Sequence, residues 1–273
     1  MRFLILLITV FLVRFTPLRA GIHPDPVAAW ADYSAGVAER RAGWQALLCL
    51  LLPLIPLELA FWALADVANG VFVLVLGVLV LLLGLGSTSR VYGVSRRFEQ
   101  AWARGDREAA ALIAEHDLAV RADDDNDLLA QVRGRLLWAA LAGYFVPVLW
   151  FLLLGPLGAL GYRLLRLFVD RLPAQSQGYA GSLVHAMEWL PARLLVASFA
   201  LVGHFDRVFE SLRGVWSDWD KTPESLLMTA ADAALAGGAE PEADAPVLAA
   251  TGDLLVRAML AWAVPVALLA LLG

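Results

Sequence analysis

The chain has 273 residues, 60% of them hydrophobic and only 17% charged, and its mean hydropathy is +0.69. A soluble domain carries about 45–50% apolar and about 25% charged residues, so the composition is that of an integral membrane protein whose net charge of −5 belongs to its loops. Cys49 is the single cysteine and lies inside an apolar run, which excludes an intrachain disulfide and any cysteine-cluster metal site.

Residues 1–13, MRFLILLITVFLV, are one arginine followed by an apolar stretch. No convincing small-x-small cleavage site follows, so the segment reads as a retained first helix with signal-like character. A span needs about 20 apolar residues, and residues 44–65 supply one. Trp44 and Trp62 at its ends would sit roughly 27 Å apart on a helix, one in each interfacial belt. Residues 71–86 are short for a span but uncharged, and Asp66, Asn69 and Gly70 make the polar turn before them, so the two segments form a hairpin. Residues 136–154 and 254–272 are further spans, with Pro147 and Pro265 as tolerated kinks. Residues 156–170 and 189–204 are re-entrant segments or short spans.

The polar segments follow the same logic. Residues 87–135 form a helical loop in which Tyr92, Phe98, Trp102, Leu112 and Ile113 can share a stripe. Gly105-Asp106 divides it, glycine closing one helix and aspartate capping the next, which gives a helical hairpin. The acids in RADDDNDLL, Arg121–Leu129, read as an N-cap and first-turn cluster, because a calcium loop's glycine and distal glutamate are absent. Residues 235–246 are an aperiodic linker rich in Ala, Gly, Pro and acid. With 1–13, 44–65, 71–86, 136–154, 189–204 and 254–272 all crossing, the loops 14–43, 87–135 and 205–253 share one face and hold fifteen basic residues against four on the other, whereas if 189–204 does not cross, the last loop and the C-terminus change sides. By the positive-inside rule that face is cytoplasmic.

The ionisable groups set into apolar segments are the candidate site: Glu58, Tyr162, Arg163, Arg166, Glu188 and Arg193. A charge at membrane depth costs roughly 2.5–3.5 kcal/mol on the insertion scale, so it has a partner or a role. Glu58 could pair with Arg163 or Arg193. The arginines could instead snorkel to the headgroups, or bind an anionic group such as a phosphate. Gly155-Pro156 ends the third span, and the small residues Gly158, Ala159 and Gly161 allow close helix packing after it. The four histidines, His23, His116, His185 and His204, are too scattered to suggest a metal centre, and no catalytic, cofactor-binding or metal-ligating motif is present.

Two blocks carry a family resemblance: LLWAALAGYFVPVLWFLLLGPLGALGYR, Leu136–Arg163, and MEWLPARLLVASFALVGH, Met187–His204. Together with ARGDREAAALI, Ala103–Ile113, they resemble the AmpE family of bacterial inner-membrane proteins. More distantly they look like the CobD/CbiB cobalamin-biosynthesis membrane synthases. The synthases carry an acidic block before the span that holds Pro147-Val148-Leu149-Trp150, and here Trp138–Ala142 reads WAALA. They carry an NTLD block after the tyrosine-arginine pair, where this chain has Arg166, Leu167, Phe168 and Val169. Amide formation on phosphorylated substrates needs such polar groups. The resemblance therefore implies a fold kept without the synthase chemistry.

The fold expected is an all-α integral membrane bundle of four to six transmembrane or re-entrant helices in one membrane domain, with a cytoplasmic helical hairpin. The resemblance implies a non-catalytic, multi-pass inner-membrane regulator linked to β-lactamase induction, the response to antibiotic and cell-wall recycling. The alternatives are an adenosylcobinamide-phosphate synthase-like enzyme and an anionic-lipid-binding membrane protein. The expected partners are the lipid bilayer, an anionic lipid or cell-wall-derived ligand, and a membrane or cytoplasmic protein, with no cofactor and no nucleic acid.

Overall fold

The computed structural model describes residues 2–15, 24–40, 43–65, 67–85, 89–122, 124–236 and 247–272. All regular structure among them is helical. The chain divides into two compact units, Met1–Thr88 with Gly143–Glu188, and Ser89–Ala142 with Trp189–Gly273. His23, Asp66 and most of the 235–246 linker lie outside the described residues.

In the first unit α1 (Arg2–Phe15), α2 (Pro26–Ala38), α3 (Gly43–Leu51), α4 (Leu54–Leu64) and α5 (Val71–Leu85) precede α9 (Val146–Leu154) and α10 (Pro156–Arg171). Helix α10 is the organiser: it packs on α9, α5, α2 and α3 and buries nine of its sixteen residues. Small residues make those approaches possible. A Cβ at Gly158 would stand 2.5 Å from the Trp150 carbonyl oxygen, and one at Gly84 would stand 3.1 Å from Ala159. Gly155, at φ +81°, makes the corner between α9 and α10 that a side chain would strain. The core on this side joins Ile5 of α1, Val78, Leu81 and Leu82 of α5, Phe151 of α9 and Ala159 of α10.

Helices α3 and α4 are separated by a turn at Leu52-Pro53, where proline cannot donate the next ladder bond. Together they form one apolar element, Gly43–Leu64, that is almost entirely uncovered, with Trp44 and Trp62 exposed near its ends. The second element of membrane length is Asp125–Leu154, half of which is buried. It includes a π-helical turn at Leu141–Phe145, directly before Pro147, which leaves the Gly143 carbonyl without its usual partner. Shorter apolar helices cover Phe3–Val13 and Val71–Leu85.

The second unit contains α6 (Ser89–Ala103), α7 (Arg107–Leu118), α8 (Asp125–Ala140), α12 (Phe205–Ser211), α13 (Pro223–Leu235) and α14 (Val247–Leu272). The α6–α7 hairpin closes where the sequence indicates: Gly105 is at φ +75°, and Asp106 accepts the Ala109 amide at 3.0 Å. Asp124 caps α8 by accepting the Asp127 amide at 2.7 Å, with Asp125 and Asp127 in its first turn. Helix α8 packs against α13 and α14. Arg133 fixes that packing, donating from Nε to Thr251 Oγ1 at 2.8 Å and from Nη1 to Asp232.

The helix that carries Glu188 and Arg193, α11, runs from Gly178 to Val202 and is longer than the 189–204 segment that hydropathy delimits. Its first residues, Gly178–Met187, are too mixed in polarity to register as membrane-like. Gln177 just ahead of it donates to the Val169 and Leu172 carbonyls at the end of α10.

Candidate functional site

The six sequence-selected residues separate into four environments. In the first unit, Tyr162 of α10 donates its hydroxyl to Glu188 Oε1 at 2.8 Å, and both side chains are buried. Arg166, one turn along α10, lies 3.5 Å from the same carboxylate oxygen and 2.8 Å from Asp170. One guanidinium therefore stands between two carboxylates, with a phenol as the other donor. The network is buried at Tyr162 and Glu188 and open at Asp170, and it is of the kind that fixes one helix against another.

Arg163 takes a different direction from the same helix. It donates to the Leu83 carbonyl at the end of α5 and to the Asp25 carboxylate. The other oxygen of Asp25 caps α2 by accepting the Val27 and Ala28 amides, each at 3.1 Å. Two turns further along α10, Arg171 meets Asp32 and also donates to the Leu167 carbonyl at 2.7 Å and the Ala28 carbonyl at 3.4 Å. Asp25 and Asp32 are seven residues apart and Arg163 and Arg171 eight, which sets two ion pairs in register along α2 and α10. The Arg171 guanidinium holds the Asp32 carboxyl below its ordinary range, chiefly through the hydrogen bond.

Arg193 belongs to the second unit. It stacks over the Trp189 ring at 3.8 Å and donates to the carbonyls of Trp216 at 2.8 Å, Trp189 at 3.1 Å and Asp218 at 2.5 Å. It therefore gathers the 212–220 turn against α11, and the stack of Trp189 on Trp219 completes the clamp. Its side chain is buried, so it does not snorkel.

Glu58 stands apart. It is exposed on α4, a helix with no buried residue, and makes no hydrogen bond or ion pair among the described residues. The pairing of Glu58 with Arg163 or Arg193 is corrected accordingly: Asp25 and the Leu83 carbonyl hold the first arginine, and the Trp216 and Asp218 carbonyls hold the second. Asp25, Asp32 and Asp170 are the partners that hydropathy could not point to, because they lie outside the apolar runs that mark the spans: Asp25 caps α2, Asp32 is in its middle and Asp170 is at the end of α10. Two signals were available. Asp25 precedes Pro26, which is an N-cap pattern, and Asp170 follows Arg166 by four residues, which is a helical ion-pair spacing.

Among the described residues no group of three or more histidine, cysteine, aspartate or glutamate side chains is placed to hold a metal. Ala140 and Leu141 are buried, and Trp138, Ala139 and Ala142 are half-buried on α8 and its extension.

These features define a helical protein with two membrane-length helices and arginines that cross-link helices. The model of the family described as regulatory signalling modulator protein AmpE matches residues 37–273, and the chain belongs to that family. It is similar to Protein AmpE of Shigella flexneri, with 25% identity over 130 residues. That match covers 44% of this chain and 45% of the relative, so the chain spans about half the length of the curated protein it matches. No solved structure matches.

Proposed function

We propose that this protein is a multi-pass inner-membrane modulator of β-lactamase induction that acts through cell-wall recycling without catalysing a reaction. Membership of the AmpE family over residues 37–273 supports the signalling role. The observation that carries the non-catalytic reading is the apolar character of Trp138–Ala142, where a synthase of related sequence would place its acids. The arginines that would otherwise be candidates for a phosphorylated substrate engage carboxylates and carbonyls of their own unit. In this reading four to six helices span or re-enter the bilayer, and the α6–α7 hairpin faces the cytoplasm, in keeping with the fifteen-to-four distribution of basic residues. A wall-derived ligand or a protein partner supplies the signal.

Deleting the gene and measuring β-lactamase induction and muropeptide levels after exposure to a β-lactam tests the role. A shifted induction threshold, restored by the wild-type gene, is expected. Unchanged induction, muropeptides and envelope stress would remove the proposal. Expression in a strain lacking cobinamide-phosphate synthase tests the absence of catalysis, and restored cobalamin synthesis would contradict it.

A further inference from the structure

The chain passes between its two compact units at three places: after Thr88, after Ala142 and after Glu188. The first lies outside the described residues. The other two fall inside long helices, Asp125–Leu154 and α11. Each of these helices carries a defect at its crossing. In the first it is the π-helical turn Leu141–Phe145 with Pro147 behind it, and in α11 it is Pro191, three residues past Glu188. Sharp bends in helices occur almost always at prolines and π-turns, and π-turns recur at functional positions.

The two defects are linked by one side chain. Pro191 has no N–H, so the Met187 carbonyl one turn back lacks its ladder donor. Trp150 supplies a donor in its place, its indole Nε1 lying 3.0 Å from that carbonyl oxygen. Trp150 sits on α9, three residues past Pro147, and its backbone is pressed against α10, where a Cβ at Gly158 would stand 2.5 Å from its carbonyl oxygen. The residue that follows the break in one helix therefore holds the break in the other. On either side of Pro191, α11 is anchored in a different unit. Before it, Glu188 accepts the Tyr162 hydroxyl in the first unit. After it, Arg193 donates to the Trp216 and Asp218 carbonyls, and Ser198 Oγ accepts the Trp262 indole at 2.8 Å, in the second.

We infer that residues 141–147 and 187–191 form a two-helix hinge on which the units reorient, and that the Trp150 indole is its latch. Among the described residues no unbroken helix runs from one unit into the other, so neither crossing acts as a rigid strut. With the indole in place the freed Met187 carbonyl is satisfied and the bend at Pro191 is fixed. When the indole lets go, that carbonyl turns to another donor and the bend opens. The exchange costs one neutral hydrogen bond, a small net amount, so both arrangements stay within thermal reach. Such a device lets a change in one unit be read in the other.

Double electron–electron resonance on the intact chain in lipid nanodiscs tests the hinge. Spin labels are placed at Tyr179→Cys in the first unit and Leu112→Cys in the second, both exposed, in a Cys49→Ser background. Trp150→Phe keeps a ring and removes the donor, and it is expected to raise the share of a second distance about fivefold over wild type. Adding Pro147→Ala and Pro191→Ala to Trp150→Phe gives back the two missing ladder donors and removes that second distance. Pro223→Ala, at the first residue of α13 and away from both crossings, leaves the wild-type distribution unchanged. One and the same distance in wild type and Trp150→Phe would overturn the inference. So would a second distance that persists in the triple variant or rises equally with Pro223→Ala. Hydrogen exchange on the unaltered chain gives a reading that needs no variant: amides 141–146 and 188–193 are expected to exchange faster than 148–154 and 195–201 of the same helices, and uniform exchange would also overturn it. A failure here leaves the induction phenotype of the deletion strain untouched, so the two proposals fall separately.

Discussion

The α2–α10 face and the α11–α12 groove use arginine in opposite ways. Along α10, Arg163, Arg166 and Arg171 each meet a carboxylate, and two of them also hold backbone carbonyls. At the groove, lined by Leu201, Phe205, Phe209 and Trp216, the surface is almost wholly apolar and no guanidinium is set into it. A guanidinium inside an apolar segment has to be satisfied by the fold, or the segment would not be stable there. A guanidinium on an exposed turn, such as Arg213, carries no such requirement. Position in an apolar run thus marks structural arginines here.

The strongest way to break this contrast is to remove Arg193, which holds the groove's turn. Arg193→Ala leaves the Trp216 and Asp218 carbonyls without their donor and loses the stack on Trp189, and a loss of about 3–4 kcal/mol is expected. Thermal unfolding in detergent measures it. Arg193→Lys recovers little, because one ammonium cannot reproduce the fork and the stack. A change below about 1 kcal/mol would mean that the clamp contributes little.

Asp25→Ala comes next, at about 2–3 kcal/mol, because one change removes the α2 cap and leaves Arg163 unpaired. Asp25→Asn keeps a capping oxygen and loses the charge, so about half the effect should remain. Equal effects of the two substitutions would show that the ion pair, and not the cap, dominates. The Tyr162–Glu188 bond is weaker. A double-mutant cycle on Tyr162→Phe and Glu188→Gln should give a coupling of about 0.6–1.7 kcal/mol, the range for interhelical hydrogen bonds in membrane proteins.

The Arg171–Asp32 pair gives the smallest effect, since the Asp32 side chain is 62% exposed and salt screens it. Its sign is fixed. The arginine lowers the folded carboxyl's pKa, so the stabilisation is complete above the ordinary aspartate value of about 3.9 and is lost as pH falls through the lowered folded value. The stability difference between wild type and Asp32→Asn should therefore persist at pH 7 and shrink as the pH falls below the ordinary aspartate value, and it should also shrink in high salt. A difference that grows as the pH falls would contradict the pairing.

The local signals read well from sequence: the Gly105-Asp106 break, the acidic start of α8, the small residues beneath α10 and the exposed tryptophans of Gly43–Leu64. Each depends on residues close together in the chain. The partners of the arginines did not, because Asp25 and Arg163 are 138 positions apart and only the packing of α2 on α10 joins them. The length of α11 was hidden by the polarity of its first ten residues. The groove was hidden because its walls are ordinary loop and helix-end aromatics whose shared surface exists only after the turn folds back onto α11.

The most direct test of the contrast is the stability of Arg163→Ala and Arg213→Ala beside wild type, measured by thermal unfolding in detergent. The account predicts a loss of about 2 kcal/mol for Arg163→Ala, which unpairs Asp25, and a change below about 0.5 kcal/mol for Arg213→Ala on its exposed turn. The reverse result would contradict the assignment of the α10 arginines to the fold.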